Sequence, residues 1–143
     1  MASLIYNHCL DNLARGANGG IDFGADTFKV MLVTSAYTPD QDTHEFRSSV
    51  TNEVGNSGTY AAGGSVSVAT VTKDDTNNRI DIAFASVNWT SATITARAAV
   101  IYKSRGGAST ADELVAYVDF LGDVASSAGT FTVTFTSPLR FQN

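Results

Sequence analysis

The stretch from Gly129 to Thr136 reads GTFTVTFT, in which apolar residues alternate with threonine. Successive side chains of a β-strand point to opposite faces of a sheet, so this pattern predicts a strand that buries Phe131, Val133 and Phe135. Exposed strands of soluble proteins usually carry lysine and other charged residues. The opposite face here is uncharged, which indicates contact with a large partner. It consists of Thr130, Thr132, Thr134 and Thr136.

Similar patterns along the 143-residue chain predict further strands, separated by turns. We expect them over Thr27–Thr34, Ser65–Thr72, Arg79–Ser86, Thr93–Lys103, Leu114–Phe120, Thr130–Phe135 and Leu139–Phe141. The first of these strands is apolar on most of both faces, which is typical of a central strand. Because the strands follow one another at short spacing without intervening helices, the sequence predicts an all-β fold. We expect an antiparallel β-sandwich of jelly-roll or Greek-key type, with a short N-terminal helix or arm.

Three local features refine this prediction. The apolar positions slip by one residue after Val68, which indicates a β-bulge. Asp74–Asn78 is rich in residues that favour turns and predicts a hairpin. Val87–Trp89 is expected to end the strand that follows this hairpin, with the Trp89 side chain in the core or at its rim.

The first twenty residues predict a helical arm ahead of the sandwich. Ser3 is a suitable N-cap, and Gly16 is expected to stop the helix. The loop from Asn18 to Gly20 then separates the arm, residues 1–20, from a β-sandwich domain over residues 21–143. The helix either covers the open end of its own sandwich or reaches onto a neighbouring subunit. Its apolar stripe consists of Leu4, Leu10, Leu13 and Ala14, with Tyr6 and Ala17 at the edges.

Composition and charge argue against several classes of partner. The net charge is −5 and the nine Lys and Arg residues are scattered, whereas nucleic-acid binding requires clustered positive charge. No apolar run approaches the length of a membrane span, and the N-terminus lacks the pattern of a signal peptide, so we expect no membrane partner. The single cysteine, Cys9, permits no intrachain disulfide, which fits assembly in a reducing cytoplasm.

The sequence contains no recognisable catalytic or ligand-binding motif. Its two histidines, His8 and His44, lie beside no nucleophile motif, and adjacent residues of a helix such as His8 and Cys9 rarely share a metal ion. The acidic pair Asp74-Asp75 is expected to belong to a turn. The acidic pair Asp112-Glu113 is expected to be solvated surface charge. We therefore predict no catalytic, metal-binding or cofactor-binding residues and no enzyme activity.

Several stretches in order along the chain resemble a family of small structural proteins of tailed-bacteriophage virions. The resemblance extends from Met1 to Phe120, over nearly the whole chain. The stretches are MASLIYN, LARG, DTFKVMLVTSAYTPD followed by DTHEFR, TNEVGNSGTYAAGG, and ITARAAVIYK leading into ELVAYVDF.

Within that family, the resemblance implies a capsid cement, or decoration, protein of jelly-roll type. Such a protein would bind the outside of the phage capsid and stabilise contacts between subunits of the major capsid protein, often as a homodimer. The implied location is the virion, after assembly in the bacterial host cytoplasm. The family has no catalytic residues to transfer to this chain. From the residues themselves we expect an assembly interface at Leu4, Tyr6, Leu10, Leu13, Thr130, Thr132 and Thr134.

Two alternatives remain open on sequence alone. The chain could be a tail, neck or head-fibre component of the same virion, because jelly-roll modules also serve there. It could instead be a carbohydrate-binding adhesin module of the virion, since exposed aromatic rings can stack on sugars. The aromatic residues that would do so are Trp89, Tyr37, Tyr60 and Tyr102.

Overall fold

The protein folds as two antiparallel β-sheets with one short helix, which confirms the predicted all-β sandwich. The structure, a computed structural model, describes residues 2–16 and 20–143. Strand order is β1-β7-β6-β2-β3 in the five-stranded sheet and β4-β5-β8 in the three-stranded sheet. The elements are β1 (Leu4–Ile5), α1 (Asn7–Arg15), β2 (Phe28–Val33), β3 (Ser65–Ser67), β4 (Ala69–Asp74), β5 (Arg79–Phe84), β6 (Val87–Lys103), β7 (Leu114–Val133) and β8 (Leu139–Gln142), with 3-10 turns at Arg47–Ser49 and Ser109–Ala111.

The long ribbon of β6 and β7 bends back over the molecule. The ring centroids of Phe120 and Phe131 lie 6.4 Å apart. Eleven residues of straight strand would separate them by about 36 Å. The pairing of β6 with β7 shifts register at four places, and Leu121 and Ala128 have positive φ angles of 65° and 45°. These bulges produce the bend, because an extra unpaired residue kinks a strand and increases its twist.

Two apolar cores lie on opposite sides of the five-stranded sheet. The larger core fills the sandwich and contains Trp89, Ile94, Phe131 and Val133. The smaller core, on the other face of the five-stranded sheet, includes Tyr102. Along β6, the predicted alternating residues face the larger core up to Ala96. After the register shift between Ala96 and Ala98, the residues from Ala98 to Tyr102 that continue the alternation face the smaller core. The smaller core consists of Tyr6, Met31, Val33, Tyr37, Ala98, Val100, Tyr102, Leu114 and Tyr117.

Three predictions of strand boundaries were wrong. The slip after Val68 is not a bulge: it marks the point where the chain leaves β3 in one sheet and begins β4 in the other. Val87–Trp89 does not end a strand but begins β6. The strands expected at Leu114–Phe120 and Thr130–Phe135 belong to one strand, β7, which ends at Val133; Phe135 lies beyond it and is only partly buried. Each error follows from a change of sheet or direction that local alternation does not encode.

The N-terminal segment begins differently from the prediction. Ser3 is not a helix cap; its Oγ accepts a hydrogen bond from the backbone N–H of Asp119. The next residues form β1, which pairs with β7, and the helix begins only at Asn7. Gly16 ends the helix with a left-handed φ of 60°, as predicted. The predicted edge residue Ala17 and most of the predicted loop, Asn18 and Gly19, lie outside the described residues.

Candidate assembly surface on the β6–β7 ribbon

The outward side of the bent ribbon is a neutral, hydroxyl-rich surface. Trp89, Ile94 and Phe131 point into the larger core, so the residues that alternate with them face solvent. Asn88 lies opposite Thr132 across the two strands. We call this surface the ribbon face. It consists of Asn88, Thr90, Thr93, Thr95, Ala125, Ser127, Thr130 and Thr132, all of which are exposed.

The ribbon face joins the predicted Thr130 and Thr132 of β7 to threonines of β6 that were not predicted to lie at an interface. The alternation of Thr93 and Thr95 with the inward-facing Ile94 and Ala96 is visible in the sequence and indicates that these threonines face outward. What could not be known was the register that places Thr95 opposite Ala125. Because β-branched and small polar side chains fit a pleated surface well, the two strands together form one continuous uncharged surface.

One edge of β7 is open beyond the N-terminal strand. Among the described residues, β7 pairs with β1 only at Ala116 and Tyr117, and with β6 along its length. The stretch over residues 122–133, GDVASSAGTFTV, therefore has a partner strand on one side only. Its single charged residue, Asp123, forms an ion pair with Arg97 at 3.3 Å. We call this stretch the β7 edge.

The other free sheet edges are shorter or carry charge. β1 is two residues long and β3 is three residues long. β4 ends in Lys73 and Asp74, and β8 contains Arg140. Short length and charge are two of the means by which proteins keep a strand edge from pairing with another chain. The β7 edge is longer than these strands, and its one charged side chain, Asp123, is paired with Arg97 of the same molecule.

The predicted interface residues of the N-terminal segment do not form one surface. Tyr6 is fully buried, and its hydroxyl lies 2.9 Å from the hydroxyl of Tyr37 in the smaller core. Leu10 and Leu13 are partly exposed on the helix. Leu4 lines a groove of about 520 Å³ together with Thr134, so these two predicted residues are brought together. Leu13 lines a different groove, beside Phe141, so its exposed apolar surface faces another side of the protein.

Hydrogen bonds hold the N-terminal segment and the loop after β2 against the five-stranded sheet. The Tyr37 hydroxyl lies 2.9 Å from Nδ1 of His44 and 2.9 Å from the Tyr6 hydroxyl. Gln41 donates a side-chain hydrogen bond to the Ile5 carbonyl. Burial raises the pKa of Tyr6 and of Tyr37, so both phenols stay neutral in the folded protein. This network is structural, because its hydroxyls are satisfied inside the protein.

The four aromatic residues considered for sugar stacking are all buried. Trp89 donates its indole N–H to Ser65, and Tyr60 packs edge-on against the indole ring. Tyr102 donates to the Gly63 carbonyl, and burial raises its pKa to about 12. None of these side chains is more than 4% exposed; the fourth is Tyr37. A sugar ring in solvent therefore has no access to them.

The single cysteine and the second acidic pair are likewise explained by the fold. Cys9 is 1% exposed, and desolvation raises the pKa of its thiol to about 12, so it is a poor nucleophile. Asp112 and Glu113 are not solvated surface charges, as the sequence suggested. They are buried and form ion pairs with Arg47 at 2.9 Å and Arg105 at 2.6 Å, respectively. Within residues 2–16 and 20–143, no group of three or more His, Cys, Asp or Glu side chains is placed to hold a metal ion.

Comparisons with known proteins add no relative to this description. A scan against protein-family models found no match, and neither did a search of curated proteins nor a search of solved structures. In the described part of the chain, no helix has the length and apolar character required to cross a membrane. The ribbon face and the β7 edge therefore carry the functional argument.

Proposed function

We propose that this chain is a non-enzymatic structural protein of a phage virion that binds the outside of the capsid and stabilises contacts between major capsid protein subunits. The observation that carries this proposal is the ribbon face, an extended surface without a charged residue on a protein whose net charge is −5. The family resemblance of the sequence stretches supplies the virion context.

The chemistry of the ribbon face suits contact with another protein. Covering a charged side chain costs free energy unless it gains a partner, whereas threonine presents a methyl group and a hydroxyl that can donate and accept. Thr90, Thr95 and Thr130 therefore contribute apolar contact and hydrogen bonding together. A protein that binds only the assembled shell stabilises that shell by mass action, and many identical copies multiply a modest affinity per site.

The proposal is tested by sedimenting the purified protein with capsids that lack it. We choose the double variant Thr90→Lys with Thr95→Lys, because both residues lie on the β6 side of the ribbon face, away from the β7 edge. The matched control is Thr70→Lys with Thr72→Lys, which adds the same charge to exposed positions of β4.

We expect the β4 control to bind capsids as the unaltered protein does, and the ribbon-face variant to bind at least tenfold more weakly. Like charges and unpaired polar groups brought into an interface cost about 2 kcal/mol or more. Equal binding by both variants would contradict a role of the ribbon face. Failure of the unaltered protein to bind capsids at all would contradict the proposed function.

A further inference from the structure

We propose that the β7 edge is a self-pairing site, at which two copies of this chain join antiparallel and continue the five-stranded sheet from one copy into the other. This inference concerns the isolated protein and goes beyond the proposed capsid binding. The occupant is a second copy of the same chain, related by a two-fold axis.

Among the described residues, the backbone of β7 has no partner strand along the β7 edge. Every second residue of a strand directs its N–H and C=O groups away from the neighbour on one side, and β6 is the partner of β7 on one side only. A strand edge of this length, without lysine, glutamate or proline, is prone to pair with another chain unless it is covered. Its pairing with β6 is continuous in register from Phe131 to Val133, and after one register shift Gly129 pairs with Ala92.

The charge and the symmetry of the β7 edge also suit a second copy of the chain. Two molecules with a net charge of −5 repel one another, so they associate best through a surface that adds no like charges. Between residues 122 and 133 the only charged group is Asp123, and Arg97 partners it within the same molecule. The backbone pattern of a strand is complementary to its own antiparallel copy, which is the geometry that a two-fold axis produces.

The same symmetry brings matching side chains together across the two strands. A two-fold axis at Phe131 places Thr130 opposite Thr132 of the second copy, and it places Thr132 opposite Thr130 of the second copy. Cross-strand threonine pairs stabilise antiparallel sheets by hydrogen bonding and methyl contact. The phenyl ring of Phe131 stays in its own core, where it is 3% exposed. The pairing therefore needs no rearrangement of either core.

Self-association is measured first, by sedimentation equilibrium of the purified protein without capsids. The monomer mass is 15.0 kDa. We expect a dimer of twice that mass for the unaltered protein and for the control Thr70→Lys with Thr72→Lys. The variant Thr130→Lys with Thr132→Lys should associate roughly 100-fold more weakly, because it places lysines opposite one another. A monomeric unaltered protein, or a dimer unaffected by the β7 variant, would overturn the proposal.

Disulfide formation between copies then tests the register. A protein carrying Thr130→Cys is mixed with a size-tagged protein carrying Thr132→Cys under mild oxidation, and we expect covalent heterodimers to exceed either homodimer. Opposed strand residues lie within the Cα separation that a disulfide allows. The native Cys9 is buried and does not compete. The same mixture made with Thr70→Cys and Thr72→Cys should give no heterodimer, and equal cross-linking in both mixtures would refute this register.

These measurements separate the two proposals. A monomer that still binds capsids would refute self-pairing and leave the proposed function intact. A dimer joined through β7 that does not bind capsids would refute the proposed function and leave self-pairing intact.

Discussion

The fold-back of β7 predicts an energetic coupling between two residues that are far apart along one strand. Phe120 and Phe131 are eleven positions apart, yet their ring centroids lie 6.4 Å from each other at an interplanar angle of 46°. Aromatic pairs in such tilted geometry contribute about 0.5–1.5 kcal/mol beyond their separate burial. The coupling exists only if the strand bends between them.

A double-mutant cycle measures that coupling. Phe131→Ala alone should lower the free energy of unfolding by about 3–5 kcal/mol, since the ring is buried in the larger core. The cycle itself uses Phe120→Leu and Phe131→Leu, because leucine removes the ring interaction while the double variant keeps an apolar core. Urea denaturation of the four proteins should give an interaction free energy of about 0.5–1.5 kcal/mol.

The matching control cycle pairs Phe131→Leu with Phe141→Leu on β8. These two rings share no contact among those the structure describes, so their effects should add to within about 0.5 kcal/mol. Additivity of Phe120→Leu with Phe131→Leu would refute the bend, because rings about 36 Å apart on a straight strand do not interact. A loss of less than about 1 kcal/mol for Phe131→Ala would show that its side chain does not face the core.

Three further predictions concern stability. Gly64→Ala should cost about 4 kcal/mol or more by thermal denaturation, because a Cβ there meets the β2 backbone at a φ of +70°, whereas Gly55→Ala, with open space around it, should cost less than about 1 kcal/mol. Burial raises the pKa of Cys9 to about 12 from 9.0, so the protonated thiol's contribution to the free energy of unfolding is complete below pH 9 and is lost as pH rises towards 12. Cys9→Ala should therefore flatten the fall in the free energy of unfolding between pH 9 and 10. The hydrogen bond from Arg140 lowers the pKa of Asp81 below 3.8, so its contribution is present above that pH and is lost in acid, and Asp81→Asn should reduce the loss of stability below pH 4. An unchanged pH profile would contradict the burial of the Cys9 thiol in the first variant, or the hydrogen bond from Arg140 to Asp81 in the second.

Local alternation was sufficient to predict the fold class and much of the core. The strand around Phe28–Val33 is apolar on both faces because it lies between β3 and β6 and is covered by both cores. Phe131 and Val133 are buried and the intervening Thr132 is exposed, as period-two spacing requires. These features depend only on neighbours along the chain.

Features that depend on distant partners were not predictable. The middle of β7, from Leu121 to Gly129, is rich in Gly, Ala and Ser and has the composition of a loop; pairing with β6 makes it a strand. Asp112 is buried because Arg47, distant in sequence, forms its ion pair. Tyr6, expected at an interface, is buried because its hydroxyl meets that of Tyr37, 31 residues away.

The candidate surface was predicted in part for the same reason. Thr130 and Thr132 followed from their alternation with Phe131, whereas their continuity with Thr95 on β6 depends on strand register. The open β7 edge depends on the whole strand order, since β1 covers only Ala116 and Tyr117. No local pattern specifies which edge of a sheet remains uncovered.

The most direct test of the central claim is the copy number of this protein in purified virions separated into heads and tails. Quantitative mass spectrometry of each fraction gives its ratio to the major capsid protein. We expect the chain in the head fraction at a fixed stoichiometric ratio to the major capsid protein, with hundreds of copies per particle. A few copies confined to the tail or neck fraction would contradict the capsid role and assign the same sandwich to a tail or fibre component.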